Sequence, residues 1–190
     1  MCSEISLREN RTEWRNFYGR FKGKSLSSTQ RKALHTDFEK YSLQNISWDE
    51  NPLRKQVKLS EIFDKKHVWL EIGFGGGEHL IHQARLNPNI GFIGCEPYLN
   101  GVAKLMGKLN ANPCQNIKLY DGDVRNIFDV LAKDSISKVF LLYPDPWPKK
   151  RHHRRRFVTQ EFLVPLYETM KPGSILRIAT DIEDLSLIHI

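Results

Sequence analysis

Hydrophobic and polar positions divide the chain at about residue 48. Residues 1–48 are polar and basic, with scattered aromatics at Trp14, Phe17, Tyr18, Phe21, Phe38, Tyr41 and Trp48. Within them, Ser27-x-x-Gln30 has the spacing of a capping box and predicts a helix running toward Tyr41. Ahead of it, Gly19, Gly23 and the paired serines predict a loop or a mobile arm. From residue 67 onward, short apolar runs alternate with helical stretches. Runs at 68–73, 90–96, 117–120, 139–143 and 174–179 read as strands. Segments 78–86, 99–109 and part of 155–170 read as helices, the last kinked or interrupted at Pro165. The fourth run is apolar throughout and predicts an interior strand, and Lys171-Pro172-Gly173 predicts a turn introducing the fifth. Strands alternating with helices imply βαβ units, hence an α/β fold with a mostly parallel sheet covered on both faces. The expected organisation is a basic arm and helix over 1–48 and one α/β domain over 49–190.

Composition narrows the setting. The 190 residues suffice for one domain with a sizeable core. No apolar run approaches the ~20 residues a membrane span needs, and the first residues lack the basic-then-apolar layout of a signal peptide. These features predict a cytoplasmic protein without a membrane partner. Cys2, Cys95 and Cys114 are odd in number, widely spaced and form no Cys-x-x-Cys pair. That argues against a disulfide framework or a thiolate metal site. The His and acidic residues show no ligand spacing either, so no metal is expected. Cys95 reads as a small buried hydrophobe.

Charge changes the picture more by its distribution than by its total of +7. The run Lys149-Lys150-Arg151-His152-His153-Arg154-Arg155-Arg156 places six permanent cations in eight positions. A looser cluster, Arg8, Arg11, Arg15, Arg20, Lys22, Lys24, Arg31 and Lys32, lies in the arm. Such clusters repel themselves unless an anion neutralises them, and a phosphate backbone is the natural partner.

In open parallel sheets ligands bind beyond the C-terminal strand ends, and the unusual residues here fall at those ends. After the first strand comes Glu71-Ile72-Gly73-Phe74-Gly75-Gly76-Gly77, whose glycines allow a sharp turn and close approach to bare backbone. Dinucleotide-binding proteins share such a turn, so a nicotinamide-dependent oxidoreductase is an alternative reading, although this is not a clean G-x-G-x-x-G. Glu96 ends the second strand, 23 positions after Gly73, where nucleotide-binding βαβ folds place an acid for ribose hydroxyls. Asp121-Gly122-Asp123 ends the third strand; an acid there can accept from an adenine amino group, with Asp123 preferred over Asp121. Tyr143-Pro144-Asp145-Pro146-Trp147-Pro148-Lys149-Lys150 follows the fourth strand. Its prolines stiffen the backbone and hold Asp145 and Trp147 at the strand tip, next to the basic run. Asp181, in Ala179-Thr180-Asp181 after the fifth strand, reads either as a contact to a base edge or as a helix N-cap.

The Pro-Asp-Pro-Trp-Pro-Lys-Lys-Arg-His-His run at 144–153 resembles the hallmark of the tRNA (guanine-N7-)-methyltransferases, of the Rossmann-like class I methyltransferase fold. The Glu-x-Gly-x-Gly-x-Gly at 71–77, Glu96, Asp123, the Ala179-Thr180-Asp181 segment and the arm Phe17-Tyr18-Gly19-Arg20-Phe21-Lys22-Gly23-Lys24 fit the same pattern. The likeness covers roughly residues 11–184. It implies transfer of a methyl group from S-adenosyl-L-methionine to N7 of a tRNA guanine, the variable-loop guanine 46. In such an enzyme the glycine turn, Gly73, Gly75 and Gly77, faces the methionine part of the cofactor, and Glu71 accepts from its ammonium group. The resemblance further implies cofactor contacts by Glu71, Glu96, Asp123 and Asp145, with Asp145 also catalytic. It implies substrate contacts by Lys149 and Asp181, and RNA contacts across 151–156, including Arg151, Arg154, Arg155 and Arg156. The oligomeric state stays open between monomer and homodimer. Residues 185–190 depart from the pattern. The expectation is therefore a chain truncated or frameshifted after Asp184, with the last strands and a late Thr-x-x-Glu motif missing. That ending keeps in view a catalytically impaired RNA-binding fragment of the same fold.

Overall fold

The computed structural model describes residues 17–186. Five parallel strands form one sheet: β1 (His67–Ile72), β2 (Ile90–Cys95), β3 (Ile117–Tyr120), β4 (Ile136–Leu142) and β5 (Met170–Ala179). Their order is β3-β2-β1-β4-β5. The chain leaves β1 to one side for β2 and β3, then returns to lay β4 against its other edge. Direction therefore reverses between β1 and β4, the position where an open α/β sheet leaves a crevice beyond its strand ends.

Alternate residues serve the two faces. Val68, Leu70 and Ile72 of β1, Ile93 and Cys95 of β2, and Val139 and Leu141 of β4 join one buried cluster. Trp69, Phe92 and Phe140 point the other way and meet edge to face. The first face is covered by α3 (Leu59–Ile62), α6 (Arg125–Phe128) and α7 (Gln160–Thr169); the second by α4 (Glu78–Leu86) and α5 (Leu99–Ala111). Leu80, Ile81 and Ala84 of α4 and Val102, Leu105, Met106 and Leu109 of α5 recur at helical spacing and are buried.

The predicted capping box is present: the Ser27 hydroxyl accepts from Gln30 N–H, and the Gln30 side chain accepts from Ser27 N–H. The helix it opens runs from α1 (Ser28–Lys32) through one π-helical turn (Ala33–Asp37) into α2 (Phe38–Tyr41). Ala33 is buried against α5, and Leu43 and Ile46, just beyond α2, are buried in the main core.

Segment 17–24 is a loop, as expected, and it is tied down: Leu99 N–H donates to Phe21 O at 2.9 Å, and Asn100 clamps Gly23 N–H and Lys24 O at 2.8 and 2.7 Å. Two expectations need correction. Pro165 does not interrupt α7. It lies past the first turn, where its ring removes one hydrogen bond while Phe162, Leu163 and Leu166 hold the helix on the core. β5 begins at Met170, not Ser174; Lys171-Pro172-Gly173 is absorbed as a register shift opposite Ile136 and Lys138, with Gly173 at φ 77°.

No helix among the described residues is long and apolar enough to cross a membrane. Among the same residues no group of three or more His, Cys, Asp or Glu is placed to hold a metal ion.

Candidate active site

A cavity of about 680 Å³ opens beyond the C-terminal ends of β1, β2 and β4. Gly73, Glu96, Asp123 and Asp145 line it, as do Trp147, Arg154 and Arg155. Three strand ends and the segment that follows β3 thus meet in one space.

Glu96 is the best-defined group in it. The residue is 7% exposed. Gly75 N–H donates to its Oε2 at 2.7 Å, and Tyr98 N–H to its Oε1 at 2.8 Å. Each oxygen keeps a lone pair, so the fixed carboxylate can accept from two hydroxyls. Burial raises its pKa, the two backbone donors lower it, and the Asp145 charge raises it again. That last effect places the two acids within electrostatic reach of each other.

The glycine turn is built for close approach. Gly73, Gly75 and Gly77 have φ of 71°, 55° and 75°, where another residue costs about 1–2 kcal/mol. A side-chain carbon on Gly73 or Gly75 would meet nothing within 4 Å, whereas on Gly77 it would lie 2.5 Å from Leu105. The first two therefore present bare backbone, and the third lets α5 pack closely. Gly73 lines the cavity, while Gly75 and Gly77 do not.

Glu71 is buried beside the cavity, outside its lining. It belongs to the Trp69 face of β1, so its side chain enters the space under α4 rather than the cavity. There its Oε2 lies 2.7 Å from His79 Nδ1, at 4% side-chain exposure. Burial raises its pKa, and the hydrogen bond and charge of His79 oppose the rise. A cofactor ammonium group would share the Glu71 carboxylate with the His79 imidazole, directly or through water. Asp123 lines the cavity, but its carboxylate is committed: Arg125 N–H donates to Oδ1 at 3.0 Å, and Arg125 Nε and Nη2 donate to Oδ2 at 2.8 and 2.5 Å. Arg125 also lies over the Phe162 ring, 4.8 Å from its centroid. An adenine amino group must share Asp123 with that guanidinium.

The proline loop after β4 holds Asp145 exposed at the cavity rim. Tyr143 and Trp147 flank it at φ 52° and 41°. Such non-glycine conformations cost of order 1–3 kcal/mol each and persist where the surroundings over-determine them. Trp147 is a wall of the site: Tyr18 and His152 meet its edge at 6.2 and 5.8 Å, and Arg155 lies 4.9 Å from its centroid. Arg155 is also 4.2 Å from the Tyr18 ring, so the arm closes one side of the cavity with Phe17, Tyr18 and Arg20.

The basic run forms a 3-10 helix, Lys150–Arg155. Lys149, Arg151 and Arg154 are exposed, and Arg154 also lines the cavity. Partial desolvation and the charges of Arg155, Arg151, Lys149 and Arg154 hold the His152 imidazole below its ordinary value. Arg156 must be removed from the surface cations. It is 4% exposed; its Nε donates to Pro146 O at 2.9 Å and its Nη2 to Asp184. Asp181 is exposed beyond β5 and does not line the cavity, and the neighbouring Thr180 hydroxyl accepts from Ile182 N–H.

Sequence reasoning missed His79, Arg125 and the closing role of Tyr18. Asp123-Val124-Arg125 carried a usable signal in its spacing. His79 carried none, because only the packing of α4 on β1 brings it to Glu71.

The doubly covered parallel sheet, the glycine turn and the acid at the end of β2 give a Rossmann-like fold with a crevice for a nucleoside cofactor, and the family and relatives it matches make it that of an S-adenosyl-L-methionine-dependent class I methyltransferase. Residues 65–189 match the Methyltransf_4 family, described as "Putative methyltransferase". The chain is 57% identical over 171 residues to the tRNA (guanine-N(7)-)-methyltransferase of Ruegeria sp. (strain TM1040), covering 90% of this chain and 67% of that protein. The proteins of the same name from Ruegeria pomeroyi and Rhizobium meliloti are 58% and 43% identical, covering 72% and 74% of their lengths and 90% and 91% of this chain. The chain belongs to the tRNA (guanine-N(7)-)-methyltransferase family. Among solved structures, the aminoglycoside resistance methyltransferase NpmB1 shares the fold at 18% identity and TM-score 0.51, over 73% of this chain and 64% of that one. The 16S rRNA methyltransferase KamB does so at 15% identity and TM-score 0.50, over 69% and 64%.

Proposed function

We propose that this chain transfers the methyl group of S-adenosyl-L-methionine to N7 of guanine in tRNA, and that its target is the variable-loop guanine 46. The observation that carries the reading is the shared cavity of Glu96 and Asp145. Glu96 is a buried, pre-oriented acceptor pair suited to ribose hydroxyls. Asp145 is an exposed carboxylate on a stiff loop, next to the surface cations Lys149, Arg151 and Arg154.

Bound along the glycine turn, the cofactor supplies an electrophilic sulfonium methyl. Guanine N7 carries a free lone pair, so no base need remove a proton first. The residues then have two tasks: to align N7 with the methyl group at near-attack distance, and to stabilise positive charge developing on the purine. Asp145 serves the second as an anion at the cavity rim and can accept from guanine N1–H or its amino group, which adenine does not match. Trp147 and Tyr18 wall the base site with aromatic surface. Lys149, Arg151 and Arg154 meet the phosphate backbone, and Asp181, exposed beyond β5, meets the substrate outside the cavity. The base must leave its stack or already lie in an open loop.

The test is methylation of an unmodified tRNA transcript with labelled S-adenosyl-L-methionine, followed by borohydride and aniline cleavage at N7-methylguanine. A single scission at the variable-loop guanine is expected, lost when that guanine is replaced. No incorporation, or methyl at another atom, overturns the reading.

A further inference from the structure

Arg156 stands inside the most cationic stretch of the chain, yet its side chain is 5% exposed. It cannot meet a phosphate without leaving its pocket. Its Nε donates to the carbonyl of Pro146, the residue directly after Asp145, at 2.9 Å. Its Nη2 donates to Asp184, whose side chain is 63% exposed and whose carboxyl the Arg156 hydrogen bond holds below the usual range. Asp184 lies in α8 (Glu183–Ser186), three residues beyond Asp181. The start of the same loop is tied to the same part of the chain, because Tyr143 N–H donates to Ala179 O at 2.8 Å. The proline loop thus hangs between two ties, one to the end of β5 and one through Arg156 to α8. Two of its residues, Tyr143 and Trp147, sit in left-handed backbone that needs such holding.

We infer that Arg156 and Asp184 are a positioning pair: they fix the proline loop, and with it Asp145, against the segment that follows β5. Neither touches substrate. The guanidinium suits the task because its planar fork reaches a carbonyl and a carboxylate at once, which an ammonium cannot reproduce. The inference rests on the methyl-transfer reading for its catalytic consequence, while its structural content stands apart from it.

The test uses the full chain with R156Q, R156K, D184N and the R156Q/D184N double variant. R156Q is expected to lower kcat at saturating cofactor and tRNA on the order of tenfold or more, with the salt dependence of tRNA binding unchanged. R156K recovers part of the loss, and the double variant is no worse than R156Q. Limited tryptic digestion mapped by mass spectrometry reads the loop without activity: cleavage after Lys149, Lys150, Arg151 and Arg154 should accelerate several-fold in D184N, with other sites unchanged. If R156Q does not fold, the exposed D184N carries both readouts. Wild-type kcat together with wild-type loop cleavage in D184N overturns the inference. So does an R156Q defect confined to tRNA KM with a shallower salt slope, since Arg156 would then be a phosphate contact. Failure of the wild-type chain to methylate tRNA sinks the functional reading instead, and the tryptic comparison still decides the brace.

Discussion

Gly75 N–H donates to Glu96 Oε2 at 2.7 Å, joining the turn after β1 to the end of β2. The bond fixes an acid and a bare backbone loop as one unit before any ligand arrives. Glu96→Gln replaces one acceptor by an NH₂ group facing a partly buried N–H donor. An unsatisfied buried donor costs about 1–3 kcal/mol. E96Q should therefore weaken S-adenosyl-L-methionine binding by about tenfold or more and lower Tm by several degrees. Calorimetric titration and thermal unfolding check both; wild-type affinity would show that Glu96 does not hold the cofactor.

Glycines of the same turn should differ in sensitivity. Gly73→Ala incurs only the backbone penalty at φ 71°, while Gly77→Ala adds a close approach of 2.5 Å to Leu105. The backbone share is about 1–2 kcal/mol in each. G77A should unfold at a clearly lower temperature than G73A, and equal midpoints would contradict the packing described for α5.

The cations of the basic run should divide by burial. Neutralising Arg151 and Arg154 should reduce the salt slope of tRNA binding by about 0.7–0.9 for each phosphate these side chains neutralise. An unchanged slope in R151Q/R154Q would mean that they form a solvated surface and no more.

Glu71 makes a prediction about pH. Burial raises its folded-state pKa above the ordinary 4.5. Between 4.5 and that raised value the folded chain binds more protons than the unfolded one, so this group's contribution to stability falls as pH rises through the window. Glu71→Gln removes the dependence. Urea unfolding from about pH 4.5 to 7 should show the wild type losing ground against E71Q toward neutral pH; a parallel pH profile for the two would contradict a desolvated Glu71.

Periodicity made the sheet visible because each parallel strand is buried on both faces and appears as a short apolar run. β5 was harder to delimit, since Lys171-Pro172-Gly173 is turn chemistry in sequence but lies within the strand's register shift. Glu96 and Asp145 could be placed from sequence because strand ends converge on one edge of the sheet in any such topology. The face a side chain takes is a finer matter. Glu71 is two residues from Gly73 in sequence, yet its parity on β1 sends it beneath α4. Arg156 looks like its neighbours in a run of cations, and only the return of Asp184 and Pro146 around it shows that it is internal.

The central claim is that Asp145 acts as an anion beside the reacting base. Asp145→Asn keeps the shape and removes the charge, and Asp145 is exposed, so Tm should stay near that of the wild type. Single-turnover methylation of tRNA by D145N, with cofactor and tRNA binding measured in parallel, is the most direct test. Binding should persist while the rate falls by about 10²–10³; turnover at the wild-type rate would contradict the account.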